Sequence, residues 1–211
     1  MADPITRQLV VMVKEPVPGR IKSRLARETS TLFATCWYRR QMCRLIHCLA
    51  RDRRWTTHLA IAPDRACSLS RIWPDHLHRI PQGTGTLSHR IRRVFQSMPP
   101  GPVIVIGSDI PGILPDHIFD AFRMLGRHRV VIGPSDDGGY WLIGLRRLQS
   151  LPRHGLSGVR WSTCHALEDT VQSFSPHRAA ITVRLNDVDT LSDITGANQG
   201  TPLPRRASHP V

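Results

Sequence analysis

The stretch PVIVIGSD, from Pro102 to Asp109, constrains the fold of this 211-residue chain most strongly. Its apolar side chains would cover both faces of a strand, which is typical of an inner parallel strand with helices on each side. The apolar run ends at a carboxylate, Asp109. The sequence therefore predicts an α/β protein in which a central strand delivers Asp109 to one edge of the sheet.

Further apolar runs and amphipathic helical patterns alternate along the chain. Strands are predicted at 8–14, 57–62, 78–82, 102–109, 130–133, 140–145 and 181–185. Helices are predicted at 28–51, with Thr29 or Ser30 as the cap, and at 87–98, 115–127, 163–174 and 190–197. The alternation predicts a single-domain three-layer α/β/α sandwich with a mainly parallel mixed sheet over residues 1–198. The polar tail 199–211 is expected to be disordered.

The composition narrows the classes of partner. A net charge of +13 would suit nucleic acid, but the arginines are spread along the chain without a long basic run or a known binding motif. We therefore expect no specific nucleic-acid partner. No stretch reaches the roughly 18 apolar residues of a membrane span, and the N-terminus lacks a secretion signal, so we expect a cytoplasmic protein. The five cysteines form no C-x-x-C pair, which indicates neither a disulfide framework nor a zinc ribbon.

Both lysines of the chain, Lys14 and Lys22, lie in the stretch VVMVKEPVPGRIKSRLA, which leaves 27 arginines among the 29 basic residues. An ammonium on a flexible stem suits a phosphate oxygen. Alternate spacing would place Lys22 and Arg24 on one side of an extended segment, and Arg20 reaches the same rim. We interpret this loop as a pyrophosphate site, although it is not a P-loop; a solvated surface loop is the alternative.

A carboxylate at the end of an apolar strand needs a cation or hydrogen-bond donors. For Asp109, Mg²⁺ or Mn²⁺ bound also by diphosphate oxygens would satisfy this need. The stretch NDVDTLSD places Asp187 and Asp189 on one side of an extended chain, and these carboxylates would meet Asp109 if their strand lay beside 102–109. The alternatives are that Asp109 caps the next helix or pairs with an arginine, and that Asp189 or Thr190 caps the last helix.

Two further loops end predicted strands. In QGTGTLSHR, which begins at Gln82, glycines leave backbone amides free to contact an anion or a base edge, although this pattern alone is weak. In GPSDDGGYWLIG, Asp136 or Asp137 can accept hydrogen bonds from substrate hydroxyls, while Tyr140 or Trp141 supplies a flat apolar face. A hairpin turn that binds no ligand is the alternative for the second loop.

Taken in order, these stretches resemble the motif series of a bacterial family of GT-A-like proteins, known as arsenosugar-biosynthesis-type glycosyltransferases. The motifs are KEPVPGRIKSRL, QGTGTL, GSDIP, GPSDDGGYWLIGL, WST and DVDTLSD, which together extend over about residues 9–194. That family is similar in turn to small nucleotidyltransferases that guanylylate molybdopterin or phospholactate. The resemblance implies a GT-A, nucleotide-diphosphosugar transferase-like fold.

The resemblance and the patterns together give the predicted site. The residues expected to bind a nucleotide or nucleotide sugar are Lys14, Arg20, Lys22, Arg24, Gln82 and Gly83. Those expected to line the sugar or small-molecule acceptor are Asp136, Asp137, Gly138, Gly139, Tyr140, Trp161, Ser162 and Thr163. The expected ligands of a divalent metal, Mg²⁺ or Mn²⁺, are Asp109, Asp187 and Asp189, and the expected catalytic residues are Asp109, Lys22 and Asp137.

Three functions are consistent with these residues. The first is transfer of a sugar from a nucleotide-diphosphate sugar to a small acceptor, and the second joins a nucleoside monophosphate to a phosphorylated metabolite with release of pyrophosphate. The third is nucleotide binding without catalysis. The family usually reads close to QGxGDLGER, whereas this chain has Thr86, Ser88 and His89. The loss of an acidic residue and a glycine there predicts reduced activity, a changed nucleotide or a binder that does not catalyse.

Overall fold

The computed structural model describes residues 6–147 and 154–194. Its strands are β1 (Gln8–Lys14), β2 (Thr56–Ala62), β3 (His78–Pro81), β4 (Val103–Ile106), β5 (Val130–Pro134), β6 (Tyr140–Leu145) and β7 (Ala179–Ile181). Its helices are α1 (Ser23–Glu28), α2 (Thr31–Ala50), α3 (Ala66–Leu69), α4 (Leu87–Ser97), α5 (Pro115–Leu125) and α6 (Ala166–Ser173).

The strands form one mixed sheet in the order β3-β2-β1-β4-β6-β5-β7. The pairs β1 with β2, β1 with β4, β2 with β3 and β5 with β7 are parallel. Only β6 runs antiparallel to its neighbours, β4 and β5. The apolar strand β4 therefore lies inside the sheet, as its sequence predicts.

Helices cover both faces of the sheet. On one face, α2 and α5 contribute buried side chains such as Met42 and Phe122, and on the other α4 contributes Phe95. Ile104 and Val105 are adjacent residues of β4 that belong to opposite cores, and both are buried. Since a fully buried aliphatic side chain contributes about 1.5–3 kcal/mol, both faces stabilise the sheet. The three-layer α/β/α prediction is confirmed.

The start of the first helical region differs from the prediction. Helix α2 begins at Thr31, and Ser30 caps it by accepting a hydrogen bond from the Phe33 backbone. The residues before it form the separate helix α1, so the prediction of an extended segment through Lys22 and Arg24 is wrong. Ile21 and Leu25 are both buried, and their spacing of four residues suits a helical turn.

The last strand also differs from the prediction. Strand β7 ends at Ile181, pairs with β5 and lies at the edge of the sheet, so it is not beside β4. The chain then crosses back over the sheet edge, because the Leu185 backbone donates to Pro134 and the Val188 backbone donates to Asp109. Residues 191–194 are helical, while residues 195–197 of the predicted last helix and the predicted tail 199–211 lie outside the described residues.

Two further predictions concern membrane spans and disulfide bonds. None of the described helices has the length and hydropathy needed to cross a bilayer. The five cysteines all lie in the described ranges and are free thiols.

His58 on β2 predicts a loss of stability in acid. The residue is 8% exposed, with Nε2 2.6 Å from Gln8 Oε1 and Nδ1 3.4 Å from His78 Nδ1. Burial, and then the charge of His78, lowers the pKa of His58 to about 4. An unfolded histidine titrates near 6.5. The stability that depends on a neutral His58 is therefore fully present above about pH 6.5 and is lost as the pH falls through 4. The maximum loss is about 3 kcal/mol of unfolding free energy.

Urea unfolding at about pH 7 and pH 4.5 measures this effect. In His58→Gln the pH-dependent loss should shrink relative to the wild type, because the amide does not titrate. His76→Gln is the matched control, because His76 is an exposed histidine. An equal loss in His58→Gln and in the wild type would show that His58 is not the responsible group.

Candidate active site

A cleft of about 760 Å³ opens at the carboxyl ends of β1 and β4. Ligands of open α/β sheets bind at this edge, where strands feed into loops. The predicted residues that line the cleft are Lys14, Arg20, Lys22, Arg24, Gln82, Asp109, Tyr140, Trp161 and Asp189. The structure therefore brings together residues from the first loop, the end of β4 and the last crossover.

The centre of this site is an ammonium surrounded by carboxylates. Lys22 Nζ lies 2.6 Å from Asp109 Oδ2, 3.0 Å from Asp189 Oδ1 and 3.9 Å from Asp187 Oδ2. Arg24 Nη1 lies 3.0 Å from Asp189 Oδ2. The Lys22 side chain is only 6% exposed. The alternatives for Asp109 are capping of the next helix and pairing with an arginine. Asp109 does pair with a basic side chain, but that side chain is Lys22.

Asp109, Asp187 and Asp189 form a carboxylate cluster around Lys22, and the pKa values of Lys22 and Asp187 are shifted there. Burial lowers the pKa of Lys22, but the charges and hydrogen bonds of Asp109 and Asp189 outweigh burial, and the pKa is raised. Burial, followed by the charge of Asp109, raises the pKa of Asp187 to about 6. Lys22 and Arg24 supply two positive charges against three carboxylates. The cluster can therefore accept further positive charge.

The carboxylate oxygens of this cluster are of the type that binds a divalent ion, but their positions are not those of a metal site. Carboxylate oxygens are the ligands that Mg²⁺ and Mn²⁺ prefer. Within residues 6–147 and 154–194, however, no three acidic, histidine or cysteine side chains are placed to hold a metal ion. The Lys22 ammonium lies between the carboxylates instead. In this arrangement the cluster binds an ammonium.

Tyr38 holds the two sides of the cleft together and was missed by the sequence reasoning. Its hydroxyl accepts a hydrogen bond from the Lys14 backbone at 3.0 Å and lies 2.8 Å from Ser108 Oγ. Burial raises the pKa of Tyr38, so the phenol stays neutral. On the sequence, Tyr38 belongs to the buried face of a helix and resembles any core aromatic residue. Arg90 also lines the cleft and was missed, since a basic residue on an amphipathic helix carries no distinguishing signal.

Gln82 and Gly83 use their polar groups within the protein. Gln82 Nε2 donates to the carbonyls of Val13 at 3.0 Å and Ala60 at 2.8 Å, which clamps the ends of β1 and β2. The Gly83 amide donates to Asp64 Oδ1 at 2.8 Å, and Gly83 does not line the cleft. Gln82 therefore reaches the cleft, whereas the Gly83 amide already has a partner.

The segment that departs from the family pattern builds one wall of the cleft. Thr86 caps α4 by accepting a hydrogen bond from the His89 backbone. Ser88 Oγ accepts a hydrogen bond from Trp161 Nε1 at 2.7 Å, and the Trp161 ring packs 5.8 Å from that of Tyr140. Of the altered residues, Ser88 thus fixes the Trp161 ring, which packs against Tyr140 at the cleft.

The polar groups of the Asp-Asp-Gly-Gly turn, residues 136–139, bond to other groups of the protein. Asp136 pairs with Arg184 at 3.2 Å, and Asp137 Oδ1 accepts a hydrogen bond from the Gly139 amide at 2.9 Å. Gly138 has φ +80°, and a Cβ there would lie 2.3 Å from the Cys164 carbonyl, so the position requires glycine. These contacts are those of a hairpin turn, and the turn residues 136–139 do not line the cleft.

Three other predicted residues also lie away from the lining of the cleft. Ser162 and Thr163 are exposed, and Thr163 Oγ1 donates to the Arg160 carbonyl. Asp187 does not line the cleft, although its Oδ2 lies 3.9 Å from Lys22 Nζ. Asp189 and Thr190 both donate backbone hydrogen bonds to Asp193, so Asp193 supports the start of the last helical turn.

Comparison with known proteins gives a family and a set of related folds. The model of the family described as "Uncharacterized protein conserved in bacteria (DUF2064)" matches residues 45–163. A solved structure of a candidate nucleotide-diphospho-sugar transferase from Desulfovibrio desulfuricans is 25% identical, with a TM-score of 0.78 over 94% of this chain and 90% of that one. No curated protein sequence matches the chain.

More distant solved structures share the fold. The 4-diphosphocytidyl-2C-methyl-D-erythritol synthase from Anaerococcus prevotii is 11% identical, with a TM-score of 0.58 over 92% of this chain and 95% of that one. The complex of Rv0371c with manganese from Mycobacterium tuberculosis is 16% identical, with a TM-score of 0.52 over 94% of this chain and 100% of that one. At these identities the likeness establishes the fold, which is that of the nucleotide-diphosphosugar transferases named by the resemblance.

Proposed function

This chain belongs to the DUF2064 family of uncharacterized bacterial proteins, and we propose that it is a metal-assisted transferase. The proposed reaction moves a sugar from a nucleotide-diphosphate sugar to a small acceptor. The observation that carries this proposal is the meeting of Lys22 and Arg24 with Asp109 and Asp189 in one cleft. Cations suit the diphosphate, and carboxylates suit the divalent ion that accompanies it.

The residues of the cleft divide the work of such a transfer. Negative charge grows on the diphosphate as it departs, and Lys14, Arg20 and Arg24 line the cleft where they can neutralise it. A bound divalent ion would supply further Lewis-acid stabilisation of that leaving group, and Asp109 with the other cluster carboxylates would hold the ion. A cleft of about 760 Å³ is large enough for a nucleotide sugar.

The aromatic wall suits the other end of the donor or the acceptor. Tyr140 and Trp161 both line the cleft, and Ser88 fixes the indole through its N–H group. A flat apolar face of this kind packs against the apolar faces of sugar rings and bases. The similar Desulfovibrio structure is described as a candidate nucleotide-diphospho-sugar transferase, which supports nucleotide-sugar chemistry. The arsenosugar specificity named by the sequence resemblance stays a prediction.

Nucleotidyl transfer is the second candidate, and the surplus of cations favours it. Lys14 and Arg20 are exposed cleft residues for which the described residues provide no ion-pair partner. With Arg90 they add three positive charges to the cleft, which would suit a triphosphate. In this reaction the same residues would stabilise departing pyrophosphate, and the acceptor would be a phosphorylated metabolite.

A thermal-shift panel of nucleoside diphosphates, nucleoside triphosphates and nucleotide sugars, with and without Mn²⁺, tests the proposal first. At about 100 times Kd a ligand adds about 2.7 kcal/mol of stability, which should raise the Tm of a chain of this size by about 5–10 °C. We expect nucleotide sugars to stabilise most and Mn²⁺ to increase their effect. If no nucleotide shifts the Tm, the cleft does not bind nucleotides and the proposal fails.

Two turnover assays then separate the candidates. Transfer or hydrolysis of the sugar from the best donor, without pyrophosphate release, supports the glycosyl transfer that we propose. Release of pyrophosphate from a triphosphate, dependent on a phosphorylated acceptor, supports nucleotidyl transfer instead. Tight nucleotide binding with no effect of Mn²⁺ and no turnover would contradict both reactions and favour a protein that binds nucleotides without catalysis.

A further inference from the structure

Lys22 is a buried cation that lies between the carboxylates that would hold a metal ion. The residue precedes α1 with its backbone in the left-handed region, at φ 44° and ψ 49°, and its ammonium contacts Asp109. Its ammonium has three N–H groups, and carboxylate oxygens of Asp109 and Asp189 lie within hydrogen-bond distance. The cluster is thus built around an internal cation.

An ammonium and a divalent ion cannot share these oxygens. Both need the inner oxygens of Asp109 and Asp189, and two cations so close together in a buried site would repel each other. Lys22 must therefore leave before a metal ion can bind to the cluster. The arrangement of the described residues, which suits no metal ion as it stands, agrees with this requirement.

The cleft gives Lys22 a second place to go. Lys22 lines the same cleft as Lys14 and Arg20, so an anion bound there would offer its oxygens to the same ammonium. A lysine has a flexible stem and can exchange partners by rotating its side chain. An anion that draws Lys22 away leaves the cluster with a deficit of positive charge, which favours metal binding.

We propose that Lys22 couples the binding of metal to the binding of diphosphate. Without an anion, the ammonium occupies the carboxylate cluster and excludes the metal; with diphosphate in the cleft, the ammonium moves to phosphate oxygens and frees the carboxylates. The second half of this inference rests on the proposed function, because that function supplies the diphosphate. Since binding free energies are reciprocal, metal should favour diphosphate binding by the same factor.

The exclusion of metal is tested by titrating Mn²⁺ alone, followed by electron paramagnetic resonance of the free ion. We expect Lys22→Gln to bind Mn²⁺ at least about tenfold more tightly than the wild type, a coupling within the usual range. Lys22→Asn is the second variant, because asparagine tolerates the left-handed backbone. Arg39→Gln, which removes one positive charge from the exposed face of α2 outside the cleft, should leave Mn²⁺ affinity at the wild-type value.

The double variant Lys22→Gln with Asp109→Asn locates the effect. It should lose the gain in Mn²⁺ affinity if that gain acts through the carboxylate cluster. Equal affinities in the wild type, Lys22→Gln and Lys22→Asn would overturn the inference. Because this titration contains no nucleotide, its failure is distinct from a failure of the proposed function, which would show as absent nucleotide binding.

The movement of Lys22 can be followed directly, because Lys14 and Lys22 are the only lysines of the sequence. Lysine labelled with ¹³C at Cε should give two signals by nuclear magnetic resonance, assigned with Lys14→Gln. Inorganic pyrophosphate with Mg²⁺ is the probe, and we expect the Lys22 signal to shift. Pyrophosphate that shifts Lys14 but leaves the Lys22 signal unchanged would overturn the coupling while still supporting an anion site in the cleft.

Discussion

Asp109→Asn is expected to reduce turnover of the best donor by about 100- to 1000-fold, the usual cost of removing one electrostatic contact to a transition state. The reason is local. Asp109 is the cluster carboxylate that both lines the cleft and lies nearest Lys22, at 2.6 Å. The amide has nearly the same shape but no charge, so it holds neither the ammonium nor a divalent ion as strongly. Steady-state rates with saturating donor and Mn²⁺ measure the effect.

The matched control for Asp109→Asn is Asp136→Asn. Asp136 pairs with Arg184 in the hairpin turn and does not line the cleft. We expect this variant to keep a rate within a few-fold of the wild type. A wild-type rate in Asp109→Asn, with the melting temperature unchanged, would remove Asp109 from the chemistry and the metal-assisted reaction with it.

Lys22→Ala is the second large effect, with a loss of nucleotide-diphosphate affinity of about 10- to 100-fold and a comparable or greater loss of turnover. The variant removes the ammonium that we expect on the diphosphate. It also leaves three carboxylates with Arg24 as the remaining partner in the cluster. Isothermal titration with the best nucleoside diphosphate measures the affinity, and the rate assay measures the turnover.

Two comparisons make the Lys22 result specific. Arg39→Gln removes one positive charge from the exposed face of α2 and should leave affinity unchanged, which excludes an effect of net charge alone. Lys22→Arg should not restore turnover, because a planar guanidinium does not replace a compact ammonium in a space that is 6% exposed. Full affinity in Lys22→Ala would contradict the assignment of Lys22 to the diphosphate.

Much of the fold followed from the sequence because its strands carry strong local signals. Strands β1 and β6 have the predicted bounds, since each is a short apolar run closed by turn residues. The meeting of Lys22 with Asp109 also followed, because β1 and β4 are neighbouring parallel strands that deliver their loops to one edge of the sheet. This convergence depends on the order and direction of the strands and does not depend on the conformation of each loop.

The path of the last crossover could not be predicted because strand order is set by tertiary packing. The sequence predicts that Asp187 and Asp189 follow a strand, but β7 pairs with β5 at the far edge. The carboxylates reach Asp109 because the chain returns across the sheet edge, where Val188 bonds to the Asp109 carbonyl. The predicted carboxylates thus come together by a route that differs from the predicted one.

The roles of individual loop residues were the least predictable part of the site. The sequence around Ser88 does not show whether its hydroxyl faces solvent or bonds to an indole. Only the fold places Ser88 against Trp161. Asp136 is similar, because its partners Arg184 and Asn186 are distant in the chain. Such contacts depend on which segments pack together, which no local pattern encodes.

The central claim is that diphosphate and a divalent ion bind together between the first-loop cations and the carboxylate cluster. A crystal structure grown with Mn²⁺ and the most stabilising nucleoside diphosphate, with anomalous scattering to locate manganese, tests it most directly. We expect a manganese peak bonded to Asp109, with the diphosphate on Lys22 and Arg24. Nucleotide bound outside the cleft, or manganese remote from Asp109, would contradict it.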